Sequence, residues 1–345
     1  MKKFFKSIIS VVNYLIICGL LLSYLAPFIS PNTFWPMAFF GLSHLVWLLL
    51  SLVFLLITFI LKSSSWKYSL VALLLGIPFF NRTYSFGKSS TQNTDIKIVS
   101  FNTYALGGYP KNTSTQIDSY LNSTNADVAA LIEWRSEYGK ISKQNFPHQK
   151  TLNLTEVNFN KMLIVSKYKI VHSGLIDFGM KTYNLAGFVD LDVHGKVIRM
   201  YVVHLESSQL KPKDYHELKE VDFDTSYNRK AKNVVQKLKT SWQKRANQAL
   251  IIQQHIEQCP HPVVLVGDFN DTPQSFVYQT LKSNKKDAFM QAGHGFETTF
   301  LKPFPLLRID HILYDSHFDC VKYGSTKQIF SDHKLIFAEL KVKEE

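Results

Sequence analysis

The sequence predicts a mixed α/β domain preceded by a strongly apolar region, on three observations. From Asp95 onward, short β-rich apolar runs recur between polar stretches of helical character. No Asp or Glu occurs before Asp95, and long apolar runs fill most of that segment. Hydrophobic residues make up 46% of the 345 and charged residues only 19%, which leaves little room for long disordered tracts. Neither an internal repeat nor a low-complexity tract is visible.

Three apolar runs define the first part. Ser7 to Ile29 is interrupted only by Ser10, Asn13, Gly19, Ser23 and Pro27, and Lys2, Lys3 and Lys6 precede it. That core is longer than the ~7–15 residues of a cleaved signal peptide, so a spanning helix is expected. Met37 to Leu61 is the strongest run, and a bilayer core needs ~20 such residues as a helix. Ser64 to Asn81 is shorter in its apolar core, Tyr68–Phe80, with Lys67 and Arg82 at its ends. The expected organisation is a membrane region over 1–81 with two or three transmembrane helices (about 7–29, 37–61 and 64–81), a polar linker over 82–94, and a catalytic domain over 95–345. Positive charge favours the cytoplasmic side, so the early lysines place the N-terminus inside. Three spans then put the domain on the non-cytoplasmic side, and two would keep it in the cytoplasm. The reading adopted is a multi-pass integral membrane protein with three spans, its lipid partner the bilayer around them.

In the remainder, the strand candidates are Asp95–Asn102, Met162–Ser166, Ala186–Asp192, Val197–His204, Pro262–Gly267, Ile309–Leu313 and Leu335–Leu340. Thr113–Leu121 and Tyr227–Gln258 read as helices. Six of the 39 Lys and Arg lie before Phe86, leaving 33 against 27 acids, so this domain is only mildly cationic. That suits a phosphate-bearing substrate or an anionic surface and proves neither. Three cysteines rule out a disulfide scaffold or a cysteine-built zinc site, and leave Cys259–Cys320 as the one plausible bridge. Arg229 to Arg245 holds seven basic residues and no acid, either a phosphate- or lipid-facing surface or a solvated helix face.

The chemistry-bearing residues sit at the carboxyl ends of the apolar runs. Asn102 closes IKIVSFN, Glu133 closes VAALIE and His204 closes MYVVH. Asp268 and Asn270 follow VVLVG, Asp310 lies in RIDHIL, and Asp332-His333 precede KLIFAEL. Singly, each has a bland explanation as a turn former or a core histidine. Together, and in order, they mark one end of a sheet, where ligands gather in α/β folds.

These motifs (SFNT, ALIEW, VVHLES, GDFNDTP, RIDHIL and SDHKL, in that order) resemble the endonuclease/exonuclease/phosphatase superfamily of metal-dependent phosphoesterases over Asp95–Val342. The resemblance implies a four-layered α/β sandwich, two packed mixed sheets flanked by helices, with the site at one end. It implies that Glu133, Asn102 and Asp332 hold a divalent ion, Mg²⁺ or Mn²⁺. Asn102, Asn270 and His204 would bind the substrate phosphate, and Asp268 would orient or deprotonate the attacking water. Asp310 would orient His333, and His204 would stabilise the phosphorane or assist the leaving group. Independently of the family, Mg²⁺ prefers oxygen ligands and needs only one or two carboxylates, and a carboxylate beside an imidazole fixes its tautomer.

Abasic-site endonucleases of this superfamily usually carry Tyr where His204 stands and Gln where Ile132 stands. His204 instead resembles the deoxyribonuclease, sphingomyelinase and inositol-phosphate phosphatase branches. No specificity loop matches, so nucleic acid, phospholipid and small phosphoester all remain open as substrate, and no protein partner is implied. Glu206 is the nearest carboxylate in sequence to His204, without a reason to touch it. The expected function is a membrane-anchored phosphoester hydrolase. The alternative is a catalytically silent domain that binds ligands or partners, which loss of Glu133, Asp268-Asn270 or Asp332-His333 would have signalled.

Overall fold

The computed structural model describes residues 2–104, 113–135, 139–154, 161–208, 225–301 and 307–343. They form two compact units. The first holds Met1–Arg82, Ser207–Asn247 and Thr272–Gln279, and the second holds the rest of the chain.

In the first unit, α1 (Lys2–Leu25) continues through a turn of 3-10 helix to Phe28. Phe4–Phe28 is the one helix among the described residues long and apolar enough to cross a bilayer. The second expected span is broken into α2 (Met37–Leu42) and α3 (His44–Ile60). Ser43 leaves helical geometry at φ −90°, ψ 11°, and 17 residues remain in α3. The third splits at Gly76 into α4 (Trp66–Leu75) and α5 (Ile77–Thr83). Pro78 has no N–H to continue the earlier helix, and Gly76 weakens it further. The multi-pass reading, and the non-cytoplasmic placement that depended on counting three spans, are therefore corrected. Within this unit Asn13 donates to the Ser65 carbonyl and accepts from Ser69, so its polar groups pair inward. Large apolar side chains such as Phe5, Leu15, Leu56 and Ile60 are exposed.

The second unit is built on sheets. Its strands are β1 (Tyr84–Phe86), β2 (Ile96–Asn102), β3 (Val128–Ile132), β4 (His148–Leu152) and β5 (Met162–Ser166). Then come β6 (Lys169–Ile176), β7 (Leu185–Val193), β8 (Lys196–His204), β9 (Val263–Asp268) and β10 (Lys286–Asp287). The last are β11 (His294–Phe296), β12 (Asp310–Tyr314), β13 (Phe318–Ser325) and β14 (Ile336–Val342). One six-stranded sheet runs β13-β14-β2-β3-β5-β4, the other β10-β12-β9-β8-β7-β6, and β1 pairs with β11 in a small ribbon. Only β2–β3 and β8–β9 are parallel among the registered pairs.

Alternation explains the layers. Ile96, Ile98, Val128 and Ala130 of the first sheet share a core with Met200, Val202, Val264 and Val266 of the second. Val99, Phe101, Ala129 and Leu131 point the other way, onto Ile117 and Leu121 of helix α6 (Thr113–Ser123). With both faces covered, VAALI is apolar throughout, and each buried aliphatic side chain contributes about 1.5–3 kcal/mol. Behind the second sheet, Ala249, Ile252 and Ile256 at the end of helix α7 (Thr225–Glu257) are buried. There the Tyr201 hydroxyl meets His255 Nδ1 at 2.9 Å. Helix, sheet, sheet, helix is the four-layered sandwich that the resemblance implied.

The seven strand candidates and both helices are present within one or two residues of their expected ends. Absent from the seven candidates were β4, β6 and β13, edge strands with exposed positions, the two- to three-residue β1, β10 and β11, and β3, whose VAALI run was noted only as leading to Glu133. The stretch read as a linker over 82–94 therefore begins with the last two residues of α5 and contains a strand. Cys259 and Cys320 are free thiols rather than a bridge. Cys259 Sγ faces the His261 carbonyl, and Cys320 Sγ faces the Lys322 carbonyl within β13. Of the basic stretch, the side chains of Arg229 and Lys230 lie outside the described residues.

Candidate active site

Strand register builds the centre of the site. Asp268, the last residue of β9, is paired with His204 at the end of β8 and with Asp310 at the start of β12. Three chemistry-bearing residues thus lie side by side across one sheet. Gly267 permits this: its φ is +139°, and a Cβ there would run into the Val203 carbonyl.

The first sheet supplies its groups at the matching end. Asn102 closes β2, in register with Ile132 at the end of β3, and Glu133 follows with φ +54°. That left-handed turn takes Glu133 off the strand path, a strained position of the kind found at functional sites. Asn102 Nδ2 donates to Asp268 Oδ2 at 2.9 Å, joining the two sheets at their ends. Its Oδ1 accepts from the Tyr104 N–H at 2.9 Å, which fixes the amide's orientation.

The remaining groups close around Asp268. His333 Nδ1 is 2.9 Å from Asp310 Oδ2, and its Nε2 lies 3.8 Å from Asp268 Oδ2. His204 Nε2 lies 3.4 Å from Glu133 Oε1 and 3.9 Å from Asp268 Oδ2. Asn270, at φ +51°, donates its N–H to Asp268 Oδ1 and its Nδ2 to the Leu205 carbonyl. The second Nδ2 hydrogen of Asn270 has no protein acceptor among the described residues. The Ser331 hydroxyl donates to Asp332 Oδ1 and accepts from the His333 N–H, both at 3.2 Å. All the residues expected from the sequence to form the site are thus described and gathered at one end of the two sheets.

Burial tunes them in opposite directions. Desolvation, then the neighbouring Asp310 charge, raises the Asp268 carboxyl. Desolvation raises Glu133, partly offset by His333 and by a hydrogen bond from Asn102, and it raises Asp332 as well. It also lowers His204, favouring the neutral imidazole. For His333 burial works the same way, but the Asp310 and Asp268 charges together outweigh it and push it up to about 10.

The donor set suits a hard divalent cation. Carboxylates of Glu133, Asp268 and Asp310 and the Asn102 carboxamide line the site, the Asp332 charge acts on Glu133 and His333, and burial leaves Glu133 and Asp332 short of positive charge. Buried Asp310 Oδ1 has no hydrogen-bond partner among the described residues. Asp268, Asp310 and His333 also offer donor atoms within 4.8 Å of one another, a grouping the sequence did not suggest.

Sequence reasoning left His204 without a carboxylate. Its neighbour is Glu133, while Glu206 Oε2 accepts from Thr182 at 2.6 Å. It also missed Arg308 and His311, which flank Asp310 in RIDHIL: Arg308 bonds Asp287 at 2.9 Å and meets His311 Nδ1 at 3.1 Å. The His311 Nε2–H then reaches the Asp271 carbonyl at 3.2 Å. Their signal was present, since charged residues in an otherwise apolar strand are buried only when paired.

Residues 99–333 match the Endonuclease/Exonuclease/phosphatase family. The chain belongs to that family. Residues 6–83 match a separate family described as a domain of unknown function, DUF8431. Solved structures agree in fold. A complex of D. rerio TDP2 with single strand DNA product has a TM-score of 0.54 and 18% identity, covering 72% of this chain and 99% of that one. The human Nocturnin catalytic domain with bound sulfate has a TM-score of 0.52 and 16% identity, covering 74% and 96%. The Bacteroides thetaiotaomicron mannosyl-6-phosphatase Bt3783 has a TM-score of 0.52 and 15% identity, covering 71% and 99%. Comparison with curated proteins gives no match.

Proposed function

We propose that this member of the family is a divalent-metal-dependent phosphoester hydrolase, acting on phosphodiester or phosphomonoester bonds. The observation that carries the reading is the Asp310–His333 pair beside Asp268, with Asn102 bridging from the opposite sheet. Glu133, Asp332 and Asn102 would hold Mg²⁺ or Mn²⁺. When bound, the ion supplies positive charge that offsets the repulsion between an anionic ester and an oxygen nucleophile.

The chain's own groups do the rest. Asn102 and the Asn270 N–H fix the Asp268 carboxylate, which takes a proton from water as the water oxygen bonds to phosphorus. His333, kept protonated and oriented by Asp310, stabilises the negative charge that builds on the phosphoryl oxygens. The bond to the leaving oxygen breaks and that oxygen takes its proton from solvent, while neutral His204 assists its departure with a hydrogen bond. The free hydrogen of Asn270 Nδ2 holds a phosphate oxygen. That D. rerio TDP2 was solved with a DNA product, and that a sugar-phosphatase shares the fold, supports a phosphoester of either kind as substrate.

In the proposed organisation, 1–81 is a membrane-associated region attached through the apolar helix Phe4–Phe28, 82–94 leads out of it, and 95–345 is the catalytic domain. The exposed apolar side chains of the first unit support attachment to lipid. Full-length protein in detergent with Mg²⁺, offered plasmid DNA, RNA, sphingomyelin, phosphatidylinositol phosphates and a bis-aryl phosphate, tests the reading. Hydrolysis of at least one ester is expected; binding without turnover of any would favour a silent domain. Retention in carbonate-washed membranes, with an intact N-terminus by mass spectrometry, tests the attachment.

A further inference from the structure

We infer that Thr299 is a positioning residue for the Asp310–His333 pair, a single clamp that fixes both partners; this rests on the catalytic role proposed for that pair. Thr299 is fully buried, and its Oγ1 accepts from two successive backbone donors, the Ile309 and Asp310 N–H groups, each at 3.0 Å. Its carbonyl accepts from the Lys334 N–H at 2.7 Å, the residue after His333. The Leu301 N–H donates to the Asp332 carbonyl at 2.8 Å, the residue before it. One residue therefore reaches the strand that carries the carboxylate and the loop that carries the imidazole.

The rest of the segment completes the clamp. Phe300 forms a bridge with His333, and its ring lies 4.9 Å from the imidazole, centre to centre. Glu297 Oε1 meets Lys334 Nζ at 3.2 Å and closes the outer edge. Asp310 has one hydrogen-bonded carboxylate oxygen, the one toward His333, so its side chain does little to locate itself. Location comes from its main chain, where Thr299 Oγ1 adds two bonds at the very start of β12 to those of the β9 ladder. Reacting groups misplaced by about 1 Å can lose ~10²-fold in rate, which makes such a clamp matter to turnover.

The test compares Thr299→Val, which keeps the shape and every main-chain bond but removes the acceptor, with Thr299→Ser, which keeps the acceptor. Val should lower kcat by roughly 10- to 100-fold with KM nearly unchanged, and Ser should restore kcat to near the parent value. An unchanged kcat in Val, or a Ser variant as slow as Val, would overturn the inference. If Val does not fold, Glu297→Gln loosens the same clamp at its ion pair with Lys334. A smaller loss of kcat at constant KM is then expected, and no loss overturns it. NMR separates this from failure of the hydrolase reading. The downfield His333 Nδ1–H resonance, held by Asp310, should persist in the parent and Ser proteins and move upfield in Val, even if no ester is cleaved. A resonance unmoved by Val counts against the clamp, whereas a parent inactive on every ester counts against the hydrolase.

Discussion

The two six-stranded sheets deliver their groups to the site in different ways. The second sheet holds His204, Asp268 and Asp310 within paired strands, in one register row. The first sheet ends its ladder at Asn102 and Ile132, and sends Glu133 beyond it on a left-handed turn. Asp332 and His333 likewise precede β14 rather than lying in it. Groups inside a ladder are located by main-chain bonds shared with their neighbours, so their geometry and the fold's stability are coupled. Groups placed just past strand ends can be altered with less damage to the fold. The difference assigns the proton-handling residues mainly to the rigid sheet and the expected metal ligands to the adaptable one, where an ion can help to order them.

The largest expected effect falls on both sheets at once. EDTA should abolish hydrolysis and added Mg²⁺ or Mn²⁺ should restore it, because charge at the first sheet's ends is needed whatever the second sheet does. Activity that survives exhaustive chelation would remove the metal from the mechanism. Next come Asp268→Asn and His333→Ala, each expected to lower kcat by ~10²–10⁴-fold with far smaller changes in KM. Effects confined to KM would reassign both as binding residues.

Glu133→Gln separates the sheets more sharply. Turnover should nearly vanish, yet the melting temperature of the metal-free protein should hold or rise. The partly buried Glu133 carboxylate is destabilised by desolvation, and the amide oxygen of Gln can still accept from Asn102. Asp268→Asn should do the opposite to stability. Asp268 accepts from both Asn102 Nδ2 and the Asn270 N–H, and an amide has only one acceptor oxygen. An unpaired buried donor costs about 1–3 kcal/mol. Melting curves of the two variants without metal would show it, and equal shifts would erase the distinction between the sheets.

Legibility followed the same division. The second sheet's row could be read because VVLVGD, MYVVH and RIDHIL are apolar strands that each end or begin on a polar residue. Alternation by itself gave only a mixed α/β domain; the sandwich was legible through the resemblance that the ordered motifs carry. The contacts that cross between distant segments could not be read: no pattern says that Asn102 bonds Asp268 or that Glu133 comes within 3.4 Å of His204. Thr299 gave no signal, because a threonine followed in sequence by closely spaced prolines reads like any turn residue. The apolar region misled in the opposite sense. Hydropathy integrates over a window and does not register that Ser43 and Gly76 interrupt the helices.

The smallest effect probes what stands behind the second sheet's row. Asp287, Arg308, His311 and the Asp271 carbonyl form a buried chain against β12, and His311 uses both ring nitrogens in it. Burial, reinforced by the Arg308 charge, lowers His311 to about 3, against about 6.5 when unfolded. The folded protein therefore keeps this imidazole neutral where the unfolded chain binds a proton. Its contribution to stability is complete above pH 6.5 and is lost progressively as pH falls from there toward 3. One such group gives a slope of at most about 1.4 kcal/mol per pH unit. His311→Gln can keep hydrogen bonds in the chain but cannot titrate. Its melting temperature should start lower at pH 7.5 and then fall less than the parent's between pH 6.5 and 5. The comparison of slopes isolates His311 from His204, which burial also lowers. Parallel slopes would mean that the parent imidazole takes up its proton without leaving the fold, and that the row at Asp268 is backed by a looser chain than its geometry indicates.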